Sequence, residues 1–302
     1  MNRLSVDFAG VHFKNPIITA SGTFAYKSGE EFFPLSILGG VSVKGMTLEK
    51  RDGNPPPRIA ESASGVLNSV GIQNPGVKYF VENELFALKH EDIVVIANVA
   101  GQTIDDYKKT VQILDETAVD IIELNISCPN VKEGGIAFGA DCDSAAEITR
   151  AIRKETKKPL MVKLTPNVTS IAEIAKAVES QGADAISLIN TLLGMRIDIK
   201  TKRPVLRNNM GGLSGPAVFP VALRMVWQAA NAVKIPVCGM GGISSWEDAV
   251  EMMLAGAKTV QIGTAMLRNP LAPKEIIAGL SHYAEENNLK NLQEICGTVK
   301  AW

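Results

Sequence analysis

The 302 residues carry a net charge of -1 and are 46% apolar. That is enough for a full core and gives no electrostatic case for nucleic acid or a membrane surface as partner. The four cysteines stand apart with no CxxC spacing and the three histidines are isolated, which argues against a disulfide framework and against a zinc or iron–sulfur site within the chain.

At the amino terminus, MNRLSVDFAG lacks the apolar run of a signal peptide. The longest nearly apolar run, Ile93–Ala100, is too short to span a bilayer. A cytoplasmic protein in a reducing compartment is expected. Leu4–Phe8 and Val11–Phe13 alternate around Ala9-Gly10 and predict a hairpin ahead of the main fold. Eight β-rich runs follow: Ile17–Gly22, Val41–Thr47, Ile93–Gly101, Asp120–Ser127, Leu160–Pro166, Ala185–Thr191, Pro236–Gly242 and Thr259–Ala265. Most are nearly continuously apolar, as in strands buried on both faces of a parallel sheet.

Between several of them the period becomes helical. Thr103 precedes a stripe of Ile104, Tyr107, Val111 and Leu114. Ser170 with Glu173 predicts a capping box before Ile171, Ile174, Ala175 and Val178; Ser244 with Glu247 predicts another before Trp246, Ala249, Val250 and Met253. The pattern predicts an α/β fold, a (β/α)8 TIM barrel with an N-terminal hairpin, filling residues 1–302 as a single domain. A doubly wound sheet usually shows its glycines after the first strand; here they concentrate after the last two. Arg51–Lys78 and Leu192–Leu213 exceed what a barrel needs. Both leave the carboxyl ends of strands, where long loops are usually functional; the alternative is that they merely cover the barrel mouth or form an oligomer contact.

The strand ends collect the polar residues. They carry Ser21 on strand one, Lys44-Gly45 on two, Asn98 on three, Asn125 and Cys128 on four, Lys163 on five, and Asn190-Thr191 on six. Strands seven and eight end in Gly241-Gly242 and Gly263-Thr264, turns suited to a phosphate. No acid is expected at these strand ends, so Lys44 and Lys163 are read as facing an anionic ligand, with a salt bridge to a loop acid such as Asp198 as the alternative. Asn68, Asn125, Asn130 and Asn190 could match the N–H and C=O edges of a pyrimidine or flavin ring. Asp120–Gly139 is the centre of this picture, a strand turning into SCPN and a glycine-rich loop that could close over a ligand. Cys128 is its candidate acid or base. Cys142 is counted as structural, and the histidines as surface or packing residues.

LNISCPNVKEGG (Leu124–Gly135), NSVGIQNPG (Asn68–Gly76), GGLSGPA (Gly211–Ala217) and VCGMGGISSWEDAVEMMLAGAKTVQIGTA (Val237–Ala265) resemble the dihydroorotate dehydrogenases. The closer similarity, over essentially the whole chain, is to the catalytic FMN subunits of class 1B, the NAD-linked type. The resemblance implies oxidation of (S)-dihydroorotate to orotate in pyrimidine synthesis. Cys128 would remove the C5 proton while the C6 hydride passes to one FMN per chain. It implies FMN contacts at Ser21, Lys44, Gly45, Asn98, Asn125, Lys163, Ile189, Gly215, Gly241, Gly242, Gly263 and Thr264. Substrate contacts are implied at Lys44, Asn68, Ser69, Val70, Gly71, Ile72, Asn125, Asn190 and Thr191, with Asn130 expected beside them. It also implies a partner subunit with FAD and a 2Fe-2S cluster, in a heterotetramer of two catalytic and two partner chains. The alternatives are a class 1A-like, fumarate-using homodimer and a flavin-binding scaffold without turnover. A sugar-phosphate barrel would explain the glycine turns but not SCPN.

Overall fold

Eight parallel strands close into a barrel in the computed structural model, which describes residues 2–24, 31–127 and 138–302. The predicted hairpin forms first, from β1 (Val6–Phe8) and β2 (Val11–Phe13). The strands β3 (Ile17–Thr19) and β4 (Gly40–Ser42) open the barrel. The first long segment contributes β5 (Ile59–Ser62) and β6 (Gly65–Asn68). The barrel resumes with β7 (Val94–Val99), β8 (Ile121–Asn125), β9 (Leu160–Lys163) and β10 (Ala185–Leu188). The second long segment adds β11 (Leu192–Gly194), β12 (Ile197–Asp198), β13 (Arg203–Pro204) and β14 (Gly211–Ser214). Finally, β15 (Val237–Met240) and β16 (Ala257–Ile262) complete the barrel, in the order β10-β15-β16-β3-β4-β7-β8-β9. The eight predicted runs are the eight barrel strands.

Helices pack outside because one stripe of each is apolar. Helix Ile104–Asp115 buries Tyr107, Thr110, Val111 and Leu114, and Thr103 and Asp106 cap it reciprocally. Ser170 caps Ile171–Ser180, but only half of the predicted box forms, since the Glu173 carboxylate turns to Lys176 at 3.0 Å. The box before Trp246–Leu254 sits one residue later than predicted, on Ser245 and Asp248. There the Asp248 carboxylate accepts from the backbone N–H groups of both Ser244 and Ser245, satisfying two donors at once.

Side chains alternate along a strand, and in this barrel the inward row changes character with height. Ile18, Val94, Ile96, Ile121, Met161, Ala185 and Cys238 form an apolar floor with Val6, Phe8 and Phe13 of the hairpin. The two phenylalanine rings meet edge to face, 6.1 Å apart. A Cβ on Gly40 would lie 3.1 Å from the Phe13 ring and 2.9 Å from the Val94 carbonyl oxygen, so the missing side chain lets the hairpin plug that end. Above the floor the row becomes polar: Ser42, Asn98, Glu123, Lys163, Ser187 and Gln261, all buried.

The two long segments meet, which their sequences do not announce. The strands β11, β14, β6 and β5 pair into one antiparallel sheet, with Asn68 opposite Gly212. Asn74, 4% exposed, ties the first segment to the end of β4. Its Oδ1 accepts from the N–H groups of Thr47 and Gly76, and its Nδ2 donates to Thr47 Oγ1 and the Ile72 carbonyl oxygen.

Candidate active site

The barrel strand ends carry no acid among the described residues, but the reading of a ligand as the counter-charge of Lys163 is corrected by Glu123, lower in the barrel. It points inward from the middle of β8 and is fully buried. Its Oε1 accepts from Ser187 Oγ at 2.7 Å and Gln261 Nε2 at 2.8 Å, and its Oε2 accepts from Ser42 Oγ at 2.9 Å and Asn98 Nδ2 at 2.5 Å. Burial opposes ionisation, but the charge of Lys163 and the bonds from Asn98, Ser187 and Gln261 outweigh it, so the carboxyl is held below the usual range. Lys163 therefore has a negative charge beneath it, supplied by the protein itself. Asp198 has no part in this. It is exposed on β12 and accepts from the backbone N–H groups of Lys200 and Thr201.

Above this carboxylate the predicted amides converge. Asn98 ends the inward row of β7, and its Oδ1 accepts from Asn125 Nδ2 at 3.4 Å. Asn125 Oδ1 accepts from Ser127 Oγ at 2.6 Å. Asn190 Nδ2 donates in turn to Ser127 Oγ. The Tyr107 hydroxyl donates to the Asn125 carbonyl oxygen at 2.8 Å, fixing the strand end from the outside. Lys163 is 5% exposed, and no hydrogen bond from its ammonium is found among the described residues. Lys44 is half-buried, and its Nζ lies 3.0 Å from where a side chain on Gly22 would begin, next to Ser21.

The remaining predicted positions ring this centre. Gly45 lies against Asn98 Oδ1, with the Ile72 side chain also near it, which brings the Asn68–Ile72 turn over the mouth. Asn68 Nδ2 donates to the Gly212 carbonyl oxygen at 3.4 Å, while Ser69 Oγ is buried without a partner among the described residues. Val70 accepts from the Asn54 N–H, and the left-handed Gly71 lies against Asn54. Thr191 packs on Gly212, and its carbonyl oxygen accepts from Asn167 Nδ2. Ile189 is buried, its N–H bonded to the Met240 carbonyl oxygen and its side chain set against Gly241.

Gly241 and Gly242 have φ of 120° and 82°, a region that only glycine enters freely. The N–H groups of Gly242, Gly263 and Thr264 meet no acceptor among the described residues. Thr264 Oγ1 donates to Ser214 Oγ at 2.8 Å, and Gly215 lies beside Thr264. Cys128 and Asn130 lie outside the described residues.

Cys142 begins helix Cys142–Arg153, and burial with the charges of Glu173, Asp143 and Asp141 raises its pKa, keeping the thiol protonated. His12 pairs with Asp7, His90 bonds to the Phe86 carbonyl oxygen and His282 pairs with Glu286, all away from the barrel mouth. Glu123, Ser127 and Asn167 were missed. The period-2 row Ile121, Glu123, Asn125 carried the signal for Glu123, because an acid two residues below an inward Asn must also point inward.

The family model described as dihydroorotate dehydrogenase matches residues 3–283. The chain belongs to the dihydroorotate dehydrogenase family. It is 53% identical over 297 residues to a protein of Alkaliphilus oremlandii, covering 98% of each chain. It is 54% identical over 299 residues to one of Alkaliphilus metalliredigens, again 98% of each. A protein of Bacteroides thetaiotaomicron is 53% identical over 304 residues, 99% of this chain and 100% of that one. All three are named dihydroorotate dehydrogenase B (NAD(+)), catalytic subunit. This is the family expected from SCPN and NSVG.

Proposed function

We propose that the chain oxidises (S)-dihydroorotate to orotate in pyrimidine biosynthesis, as the FMN-bearing catalytic subunit of an NAD-linked dihydroorotate dehydrogenase. The observation that carries this reading is the convergence of Lys163, Asn98, Asn125 and Asn190 above a buried carboxylate, at the end of the barrel where Lys44 and the Asn68–Ile72 turn also lie. The relatives' names carry NAD(+), so the fumarate-using alternative is not favoured.

The residues present suit FMN, on which the family generally depends. The buried Lys163 ammonium, without a hydrogen-bond partner among the described residues, suits the electron-rich edge of a flavin ring. The uncommitted N–H groups of Gly242, Gly263 and Thr264, with the left-handed Gly241 before them, suit its phosphate. Ser21, Lys44, Gly45, Asn98, Asn125, Ile189 and Gly215 would complete the hold. FMN would supply the acceptor for the C6 hydride.

The protein's own part is orientation and proton transfer. Lys44, Asn68, Ser69, Val70, Gly71, Ile72, Asn125, Asn130, Asn190 and Thr191 would hold dihydroorotate, with amides matched to its imide edge and a cation to its carboxylate. Ser69 Oγ, buried without a partner among the described residues, is one acceptor or donor left for it. Cys128 would take the C5 proton. We place FAD and a 2Fe-2S cluster on a partner subunit, in a cytoplasmic heterotetramer of two catalytic and two partner chains, with each catalytic chain folded as one domain over residues 1–302. No helix among the described residues is long and apolar enough to cross a membrane.

Cys128→Ala tests the chemistry. The variant should keep FMN and slow its anaerobic reduction by dihydroorotate by at least ~100-fold, the usual weight of a general base. Reduction at the wild-type rate would remove Cys128 from the reaction.

A further inference from the structure

We propose that Glu123 is a positioning residue that sets the polarity of the amides facing the ring ligands, through a one-way hydrogen-bond chain running Glu123, Asn98, Asn125, Ser127, Asn190. This rests on the site reading above and deepens it.

The chain has a direction because its origin can only accept. An ionised carboxylate has about four acceptor positions and no donor, and Glu123 has four donors, two on each oxygen. Asn98 must therefore turn its NH2 down toward Glu123, which leaves its Oδ1 facing up. That oxygen takes the Asn125 NH2, so Asn125 presents its own Oδ1 to the Ser127 hydroxyl. The Ser127 proton is then committed, and its lone pair accepts from Asn190 Nδ2. Asn190 Oδ1 accepts from the Thr191 N–H at 2.9 Å. Asn125 and Asn190 are thus left with spare N–H groups rather than spare carbonyls. The site becomes selective for a ring ligand that presents C=O or carboxylate oxygens.

Gln261 shows how firmly the carboxylate directs its neighbours. Its NH2 donates to Glu123 while its own Oε1 is buried with no partner among the described residues. An orphaned buried acceptor is costly, and a neutral group at position 123 would let that amide turn over. The carboxyl being held below its usual range agrees with an ionised origin.

Glu123→Gln keeps the shape but can offer either an N–H or an oxygen to Asn98, which lets the chain reverse. The readout is orotate binding to the oxidised holoenzyme, followed by the shift it causes in the visible spectrum of bound FMN, and it requires no turnover. Glu123→Gln is expected to weaken orotate binding by ~10-fold or more, and Glu123→Asp, still acceptor-only, to restore most of it. Ser42→Ala removes one donor to the same carboxylate without changing what the carboxylate is, and should leave orotate binding within ~3-fold of wild type, because the lost bond weakens folding while the three remaining donors keep the chain's direction. Unchanged binding in Glu123→Gln, or an equal loss in Ser42→Ala, would overturn the proposal. A wild-type holoenzyme that binds no orotate would instead overturn the functional reading beneath it. Neutron diffraction from deuterated wild-type crystals tests the direction even if Glu123→Gln does not fold. The Ser127 deuteron should point at Asn125, and one pointing at Asn190 would overturn the chain.

Discussion

The lower and upper halves of the barrel interior are filled in opposite ways by the same eight strands. Below, Phe8 and Phe13 press into Ile18, Val94, Ile96, Ile121, Met161, Ala185 and Cys238. Above, two residues further along β7 and β8, the inward positions are Asn98 and Glu123, level with Ser42, Lys163, Ser187 and Gln261. The floor stabilises by burying apolar surface, roughly 1.5–3 kcal/mol for each large side chain. The upper half gives up that gain for a polar layer whose members hold one another in place. In a barrel of this kind the floor serves stability and the upper end serves chemistry, and here the boundary falls within single strands. Cys238 marks it: burial, reinforced by the charge of Glu123 and only partly offset by Thr259, Lys163 and Gln261, pushes its thiol up to about 12. It is an inert floor residue despite lying close to the reactive layer.

That division can be broken from below. Phe13→Ala should cost ~3–5 kcal/mol of unfolding free energy, the usual range for emptying a buried aromatic site, while the folded fraction binds FMN as tightly as wild type. Denaturant unfolding and flavin fluorescence measure the two separately. Loss of FMN affinity in step with stability would show that the halves are not independent.

A smaller effect comes from pH. The folded Glu123 carboxyl is held below its ordinary value near 4.5, so above that pH its contribution to stability is complete. As pH falls below that value the unfolded chain takes up the proton first, and the contribution is lost on the way down to the folded pKa. The stability difference between wild type and Glu123→Gln should be flat from about pH 7 to 5 and change only below about 4.5, moving against wild type. A wild type that gains on the variant during acidification would contradict an ionised Glu123.

Much of this was legible in the sequence, for physical reasons. Strands buried on both faces are apolar on both, so all eight stood out as runs, and the glycine turns after β15 and β16 stood out for their composition. The same continuity hid the inward row, because an apolar outer face masks the period-2 signal. The partners of Glu123 are also far along the chain, Ser187 by 64 residues and Gln261 by 138, a grouping that only barrel closure creates. The sheet joining the two long segments was hidden for a related reason. The strands β6 and β14 read GVLN and GGLS, short and glycine-bearing, and each is stabilised by pairing with the other rather than by its own pattern. The one-residue shift of the cap to Ser245 was a choice between two overlapping matches in SSWED, decided by the reach of Asp248 to two N–H groups.

The most direct measurement is the anaerobic visible spectrum of the purified, FMN-loaded chain before and after dihydroorotate is added. Stoichiometric bleaching of the flavin is the expected result, since the upper half of the barrel would then hold flavin and substrate together. A bound flavin that stays oxidised with dihydroorotate present would contradict the assignment of that half as a dihydroorotate-oxidising site.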